Sequence, residues 1–419
     1  MPSPNRRLPH TAAGGATVAL AAILAMLAPG SAFAEPVTLA EVLARASASS
    51  PTLAAAEADV AAALGRAQQA GFRPNPELGL EIENFAGTGA FSGLDDAEST
   101  LSLGQRFELG GKRPARERAA RAEVDAARLR LAVARADLQQ QVRDAYAEAW
   151  ADSRRVELAR EQFLRADNLQ TIATELVDAG REPPLRALRA RTVALEAVGR
   201  VRAAEAEYAE AQRALAALWG GSDDLPEPVA SEAGPAPEAV LDPANALDVR
   251  LAEAEVATSI AVVDRERTLS RPDVTVSVGA RQFRGTDDTA MVVGASMPIG
   301  VFDRNQGNVA AANAERAGAE ARRNAALAGA IRRTRDAQAA LRTAEARLAF
   351  LETQAEPEAL EAVRIAREGF SAGRFTLLDV LDAEEALNTL QADMITAELE
   401  RAQAVAALTR ATATEGSIP

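Results

Sequence analysis

Two copies of the tripeptide Ala-Gly-Arg, with their glycines at Gly180 and Gly373, are followed by charges of opposite sign. The charged side chains stand six and nine residues after each glycine: Arg186 and Arg189 in the first half, Asp379 and Asp382 in the second. If the two segments lie side by side, these side chains can form ion pairs, each worth roughly 0.2 to 1 kcal/mol when exposed. The spacing therefore predicts a contact that breaks reversibly. A solvated helix face explains the arginines equally well, and a first-turn position is also favourable for the aspartates.

Other reactive side chains are scarce. The chain has no cysteine and a single histidine, His10, which lies in a segment that we expect to be removed. Thiolate and imidazole metal sites, disulfides, and Ser-His or Cys-His catalysis therefore lack an essential member. A hydrolase that uses carboxylates is the alternative, but the sequence has no α/β pattern that would form its pocket. We expect no enzyme, no cofactor and no metal site, and the net charge of −14 argues against nucleic acid as a partner.

The first 34 residues have the pattern of a secretory signal peptide. Arg6 and Arg7 precede the apolar run ATVALAAILAMLA, and Ala32-Phe33-Ala34 fits the small-x-small rule for cleavage. The run is shorter than the roughly 20 residues that a membrane-spanning helix needs. We expect a mature chain that begins at Glu35, with no cysteine after the cleavage site to carry a lipid.

Long alanine-rich helices must position the charged motifs. Residues 115–179 contain neither Gly nor Pro, which predicts a rod of about 97 Å. We place this helix at about 113–178 and its tip at about 179–184. A second long helix, at about 307–369, leads to a tip at about 370–376. Interruptions of the second helix are expected at three positions: Gly318, Gly329 and Pro357, the last as a kink.

Four segments alternate between apolar and polar residues with the period of a β-strand. They lie at about 77–85, 99–109, 273–283 and 290–299. Strands of this length and pattern are typical of membrane barrels, although the hairpins of soluble proteins alternate identically. Even a small barrel takes about eight strands, so closure would require several chains.

The order helix, strand, strand, long helix, tip, helix occurs twice, which indicates an internal tandem repeat. The predicted divisions are a signal peptide (1–34), a first repeat (35–219), a Pro/Gly-rich acidic linker (220–243), a second repeat (244–410) and a C-terminal tail (411–419). Each glycine of the Ala-Gly-Arg motif falls where a long helix reverses into its partner. Glycine suits that position because it takes the left-handed conformation that ends a helix.

Several of these segments resemble the TolC family of outer-membrane efflux channels, across essentially the whole mature chain. The resemblance is carried by TLAEVLARASASSPTLAAAEADV, by FELGGKRP and its counterpart PIGVFDRNQG, and by GRFTLLDVLDAEEAL. Within the family the chain is most similar to the cobalt-zinc-cadmium type component. The resemblance implies a mainly α-helical homotrimer with a transmembrane β-barrel of 12 strands in the outer membrane of a Gram-negative bacterium. A long periplasmic α-barrel would continue the β-barrel.

The resemblance also implies a function and its partners. The channel would give passive exit to substrates delivered by an inner-membrane RND-type pump and a periplasmic adaptor, with outer-membrane lipid around the barrel. Heavy-metal cations are the expected cargo, and organic toxicants are the alternative. A soluble periplasmic coiled-coil scaffold is the alternative from another class.

Roles for individual residues follow from the same resemblance. Asp379 and Asp382 correspond to acidic positions that line the periplasmic constriction of the family. The opposite charges at matching offsets from the glycines, and not the resemblance, make Arg186 and Arg189 their expected partners in a gate. The tips would dock the adaptor through five residues: Gly180, Arg181, Phe370, Gly373 and Arg374.

Overall fold

The computed structural model of this chain describes residues 37–221 and 242–415. The predicted signal peptide, nearly all of the predicted linker and the last four residues of the tail lie outside these ranges. Within them the elements follow the tandem order that the sequence predicts. No helix in the two described ranges is both long enough and apolar enough to cross a bilayer.

The first repeat contains four α-helices and two strands. They are α1 (Leu39–Ser49), α2 (Pro51–Ala70), β1 (Glu77–Glu83), β2 (Glu98–Phe107), α3 (Lys112–Asp178) and α4 (Pro184–Ala217). The second repeat contains α5 (Leu247–Leu269), β3 (Val274–Phe283), β4 (Asp288–Ser296), α6 (Gln306–Phe350), α7 (Glu356–Ser371) and α8 (Leu377–Ala411). With 67 residues, α3 is about 100 Å long.

The second long helix differs from its prediction. Gly318 and Gly329 stay within α6, because a glycine costs a helix only about 1 kcal/mol relative to alanine, too little to break 45 packed residues. The departure from α-helical geometry is a π-helical segment, Leu351–Ala355, immediately ahead of Pro357. Proline lacks the N–H that a regular turn would use at this point.

The ends of the strands also differ from their predicted positions. β1 ends at Glu83 rather than at residue 85, because Asn84 turns the chain with a φ of 56°. β4 spans Asp288–Ser296 rather than 290–299, and the proline at position 298 cannot donate to a ladder. β2 stops at Phe107, two residues short of the prediction.

The helices form a layer in which α3 is central. Beyond the sheet, α3 packs between α2 and α5, and towards its C-terminus it packs between α4 and α8. Alanine dominates these seams: Ala166 of α3 is buried against Ala194 and Ala197 of α4, for example. Small side chains let the helix backbones approach closely, so these helix pairs pack along narrow seams.

The widest cluster of large apolar side chains lies halfway along α3. Tyr146 is fully buried there among Val42, Leu138 and Leu215. Its hydroxyl donates a hydrogen bond of 2.9 Å to the Val37 carbonyl. This cluster fixes the start of the described chain to the middle of the longest helix.

The four strands form one antiparallel sheet in the order β1-β2-β3-β4. β2 and β3 join the two repeats, with Leu103 opposite Val278. One row of apolar side chains crosses all four strands: Leu78, Leu103, Val278 and Val293. Leu78 is 73% exposed and Val293 76% exposed, so none of the described residues covers this face. Both β1 and β4 are open edges.

Candidate functional site at the helical tips

The first tip ends α3 with a glycine in the left-handed region. Gly180 has a φ of 69°, and a side chain there would meet no atom within 4 Å. The Arg181 N–H donates to the Leu176 carbonyl at 2.9 Å, and the Gly180 N–H donates to the Val177 carbonyl at 2.9 Å. This pair of bonds is a Schellman motif, which satisfies carbonyls that the helix end leaves free.

The second tip repeats the first in detail. Gly373 has a φ of 72°. The Arg374 N–H donates to the Gly369 carbonyl at 2.7 Å, and the Gly373 N–H donates to the Phe370 carbonyl at 2.9 Å. The duplicated tripeptide therefore places an arginine at the same position of the same helix-ending motif in both repeats.

Phe375 makes a contact that the sequence gave no sign of. Its ring lies against the backbone of Gly369, where a Cβ atom would come within 2.0 Å of the ring. Only glycine fits at that position without moving the ring. The equivalent position of the first tip is occupied by Leu176, so this contact between a ring and a glycine belongs to the second tip.

Asp379 caps its own helix. Its carboxylate accepts hydrogen bonds from the Thr376 N–H at 2.6 Å and the Thr376 hydroxyl at 2.7 Å, and the hydroxyl accepts in return from the Asp379 N–H. The hydrogen bond from the Thr376 side chain, followed by that from its backbone, lowers the pKa of Asp379. The carboxylate is exposed and remains ionised well below neutral pH.

The four predicted gate residues do not pair with one another inside one chain. Arg186 forms an ion pair of 2.7 Å with Glu182, one turn earlier. Arg189 and Asp382 are exposed. Across the described ranges, no ion pair joins either arginine to either aspartate, so their pairing stays a prediction about contacts between chains.

A different ion cluster connects the two tips. Glu384 on α8 is buried and accepts a hydrogen bond of 2.7 Å from Arg367 on α7. Arg165 on α3 lies 3.4 Å from the other oxygen of Glu384 and donates to Asn388 at 2.9 Å. One carboxylate thus links the two helical hairpins.

The sequence contains a signal that identifies Glu384. Leu377, Val380, Glu384 and Leu387 follow one another at helical spacing, and all four are buried. An acidic residue on an otherwise apolar stripe requires a buried cationic partner, because an unpaired buried charge is costly. The partner helix was not predictable from this spacing.

A cleft of about 540 Å³ lies between the tips. Its walls carry five arginines (Arg165, Arg181, Arg186, Arg367 and Arg374) and two glutamates. Leu169, Ile172 and Phe370 supply apolar wall surface. Within the part of the chain that the structure describes, no cluster of carboxylates or histidines has the arrangement of a metal site.

Comparison with known proteins places this architecture in a class. The family model described as outer membrane efflux protein matches residues 42–221 and again residues 243–414. The chain belongs to this family of outer-membrane channels, which transport substrates and are not enzymes.

Two curated relatives are resistance proteins of Cupriavidus metallidurans. The chain is 32% identical to the cobalt-zinc-cadmium resistance protein CzcC over 369 residues, which cover 84% of each protein. It is 34% identical to the nickel and cobalt resistance protein CnrC over 275 residues, 65% of this chain and 66% of that protein. The outer membrane protein VceC of Vibrio cholerae has the same fold, with a TM-score of 0.76 and 24% identity over 89% of this chain and 95% of that one.

The family confirms the predicted fold class, function class and location. The protein is an outer-membrane efflux channel of CzcC type with a large periplasmic part. Channels of this family work with an adaptor and an inner-membrane pump. The soluble scaffold is excluded by the same match.

Proposed function

We propose that this protein is the homotrimeric exit channel of a tripartite system that exports heavy-metal cations. The observation that carries the cargo assignment is the 32% identity to a cobalt-zinc-cadmium resistance protein over 84% of both chains. An RND-type inner-membrane pump selects and energises the cargo, and a periplasmic adaptor connects that pump to the channel. Organic toxicants are the competing cargo of the same channel class.

The open edges of the chain support a closed assembly of several copies. β1 and β4 end the sheet, and a strand edge with unpaired backbone groups requires a partner in a membrane. The helical layer is open in the same way, because its flanking helices carry exposed apolar side chains. These are Leu185, Leu188 and Leu195 on α4, and Leu360 and Ile365 on α7. In a trimer each edge meets the opposite edge of the next copy, and the exposed apolar row of the sheet meets lipid.

The polar face of the sheet favours cations. The strand register places five carboxylates on it: Glu77, Glu81, Glu83, Glu98 and Asp288. Arg106 and Arg281 are the basic residues on this face, and Arg281 is engaged at 2.9 Å by both Glu83 and Glu98. A lumen lined in this way attracts cations and repels anions.

The gate combines the predicted residues with the buried ion cluster. Asp379 and Asp382 line the periplasmic constriction, where three copies form two rings of carboxylates. Arg189 has no carboxylate partner within the described residues, so it is available to an aspartate of a neighbouring chain. Glu384 holds α3, α7 and α8 together behind the constriction, and opening requires that this contact loosen.

The tips dock the adaptor. Gly180 and Gly373 hold their loops in the same conformation, so a trimer presents six nearly equivalent tips to one type of adaptor. Arg181, Phe370 and Arg374 lie at or beside these turns.

The cargo is tested in a Gram-negative host that lacks its own cobalt-zinc-cadmium exit channel and retains the matching pump and adaptor. Expression of this chain should restore growth on zinc, cobalt or cadmium and should lower the cell-associated metal, measured by mass spectrometry. Organic dyes serve as the second arm. Restored dye export without restored metal export would assign the channel to organic cargo.

The gate is tested by exchanging charges. Arg189→Asp and Asp382→Arg should each raise the leak conductance of the purified channel in planar bilayers. The double exchange should lower it again if the two side chains pair directly. A double variant that leaks as much as its parents would exclude that pairing.

A further inference from the structure

Two arginines of the tip cleft have no carboxylate partner. Arg165 and Arg367 are engaged by Glu384, and Arg186 is engaged by Glu182. Arg181 and Arg374, one from each Ala-Gly-Arg motif, form no ion pair within the described ranges, and both are exposed. The duplicated motif thus brings two unpaired guanidinium groups to the wall of one cleft.

The charge of the cleft is opposite to that of the whole chain. Five arginines and two glutamates give the cleft a formal charge of +3, whereas the chain carries −14. Guanidinium groups bind carboxylates in a planar, bidentate geometry, so a cluster of them selects carboxylates over neutral side chains. The local charge identifies an acidic ligand.

The surroundings of the cleft favour a protein ligand over a small free anion. Phe375, which lines the cleft, is 43% exposed, and Leu378, three residues later, is 53% exposed. Arginine beside exposed aromatic and aliphatic side chains is the composition of a protein interface. A small anion would neutralise the cleft and leave these apolar side chains in water.

We propose that the cleft between the two tips receives acidic side chains of the periplasmic adaptor, with Arg181 and Arg374 each binding one carboxylate at the turn of an adaptor hairpin. This inference rests on the proposed function, which supplies the adaptor as the partner. It adds the chemistry of recognition: the adaptor contributes the carboxylates, and the channel contributes the guanidinium groups. Phe375 and Leu378 cover an apolar flank of the same hairpin.

A structural role for the two arginines makes a different prediction. α3 and α7 both end at the cleft, and neither has a basic residue in its last turn. A positive charge just beyond a helix C-terminus stabilises the helix dipole. Loss of that effect would lower the melting temperature and would leave ligand preference unchanged.

The test uses the full mature chain in detergent and a synthetic helical-hairpin peptide as the probe. One version of the peptide carries two glutamates at its turn, and a matched version carries two glutamines. Fluorescence anisotropy should show that the wild-type channel binds the glutamate hairpin at least tenfold more tightly than the glutamine hairpin. R181Q/R374Q should reduce this preference to twofold or less. The matched control R191Q, which removes an exposed arginine of α4 outside the cleft, should keep it.

Three outcomes would overturn the inference: equal affinity of the two hairpins for the wild type, an unchanged preference in R181Q/R374Q, or free citrate that binds as tightly as the glutamate hairpin. The last would assign the cleft to small anions. Failure of the proposed function has another signature, because a soluble monomer or undiminished metal tolerance without the channel would refute it. A membrane-inserted trimer that exports metal yet binds both hairpins equally refutes only the recognition of carboxylates.

Discussion

Replacing Glu384 by glutamine should loosen the closed tip. The substitution keeps the size of the side chain and removes the charge shared by Arg165 and Arg367. Breaking a buried ion pair typically costs about 3 to 5 kcal/mol of stability. The Glu384 side chain is only 11% exposed, so its loss should approach that cost. The Arg367 side chain is 50% exposed, however, and solvent screens its share. We therefore expect a loss of about 1 to 3 kcal/mol.

The assay separates gating from general stability. If most of the loss falls on the closed state, each 1.4 kcal/mol shifts the ratio of open to closed channels about tenfold. E384Q should therefore raise the ratio of open to closed channels in planar bilayers by about 5-fold or more, with the oligomer intact on native gels. E385Q, which removes the neighbouring exposed carboxylate, is the matched control and should gate like the wild type. Unchanged gating in E384Q, or equal leakage in E385Q, would refute the assignment of Glu384 to closure.

Three further perturbations test the sheet, the second tip and the middle of α3. V278R places a charge on the apolar face of the sheet, which should cost about 2 to 4 kcal/mol of stability in the membrane and reduce the amount of membrane-inserted, heat-modifiable protein. The control S277R, on the polar face, should insert normally. G369A should lower stability by about 1 to 3 kcal/mol by calorimetry because its Cβ meets the Phe375 ring, and F375A in the same chain should recover most of the loss. Burial raises the pKa of Asp144 to about 6, so this residue favours the folded state less as pH rises from about 4 to 7. D144N should therefore raise the melting temperature by about 2 °C or more at pH 7.5 and leave it unchanged at pH 4. An equal shift at both pH values would contradict the cost of burying the ionised Asp144 carboxylate.

Periodicity was sufficient to predict the elements of this fold. The two repeats, the four alternating strands and the long helix α3 follow from side-chain patterns that act locally. The interruptions predicted at Gly318 and Gly329 were wrong because packing along α6 outweighs the weak intrinsic preference of glycine. Local preference decides the structure only where tertiary contacts do not oppose it.

The candidate site was less accessible to sequence reasoning. The offsets of Asp379 and Arg186 from their glycines suggested an ion pair, yet each side chain has a nearer partner in its own helix turn, Thr376 and Glu182 respectively. A residue three or four positions away is held close by the helix itself, whereas a residue on another hairpin is not. The link through Glu384 depends on how three helices pack, and no spacing within one helix specifies that.

The pairing of β2 with β3 has a consequence for the order of folding. Leu103 and Val278 are neighbours in the sheet although about 175 residues separate them in the chain. Closing so long a loop is slow relative to forming the local β1-β2 and β3-β4 hairpins, because contacts distant in sequence carry a high entropic cost. Each hairpin must therefore persist with unpaired edges and an exposed apolar face after secretion, until the second repeat has arrived. Such intermediates aggregate readily, so we expect the yield of inserted channel to depend on how well the two hairpins are shielded until they meet.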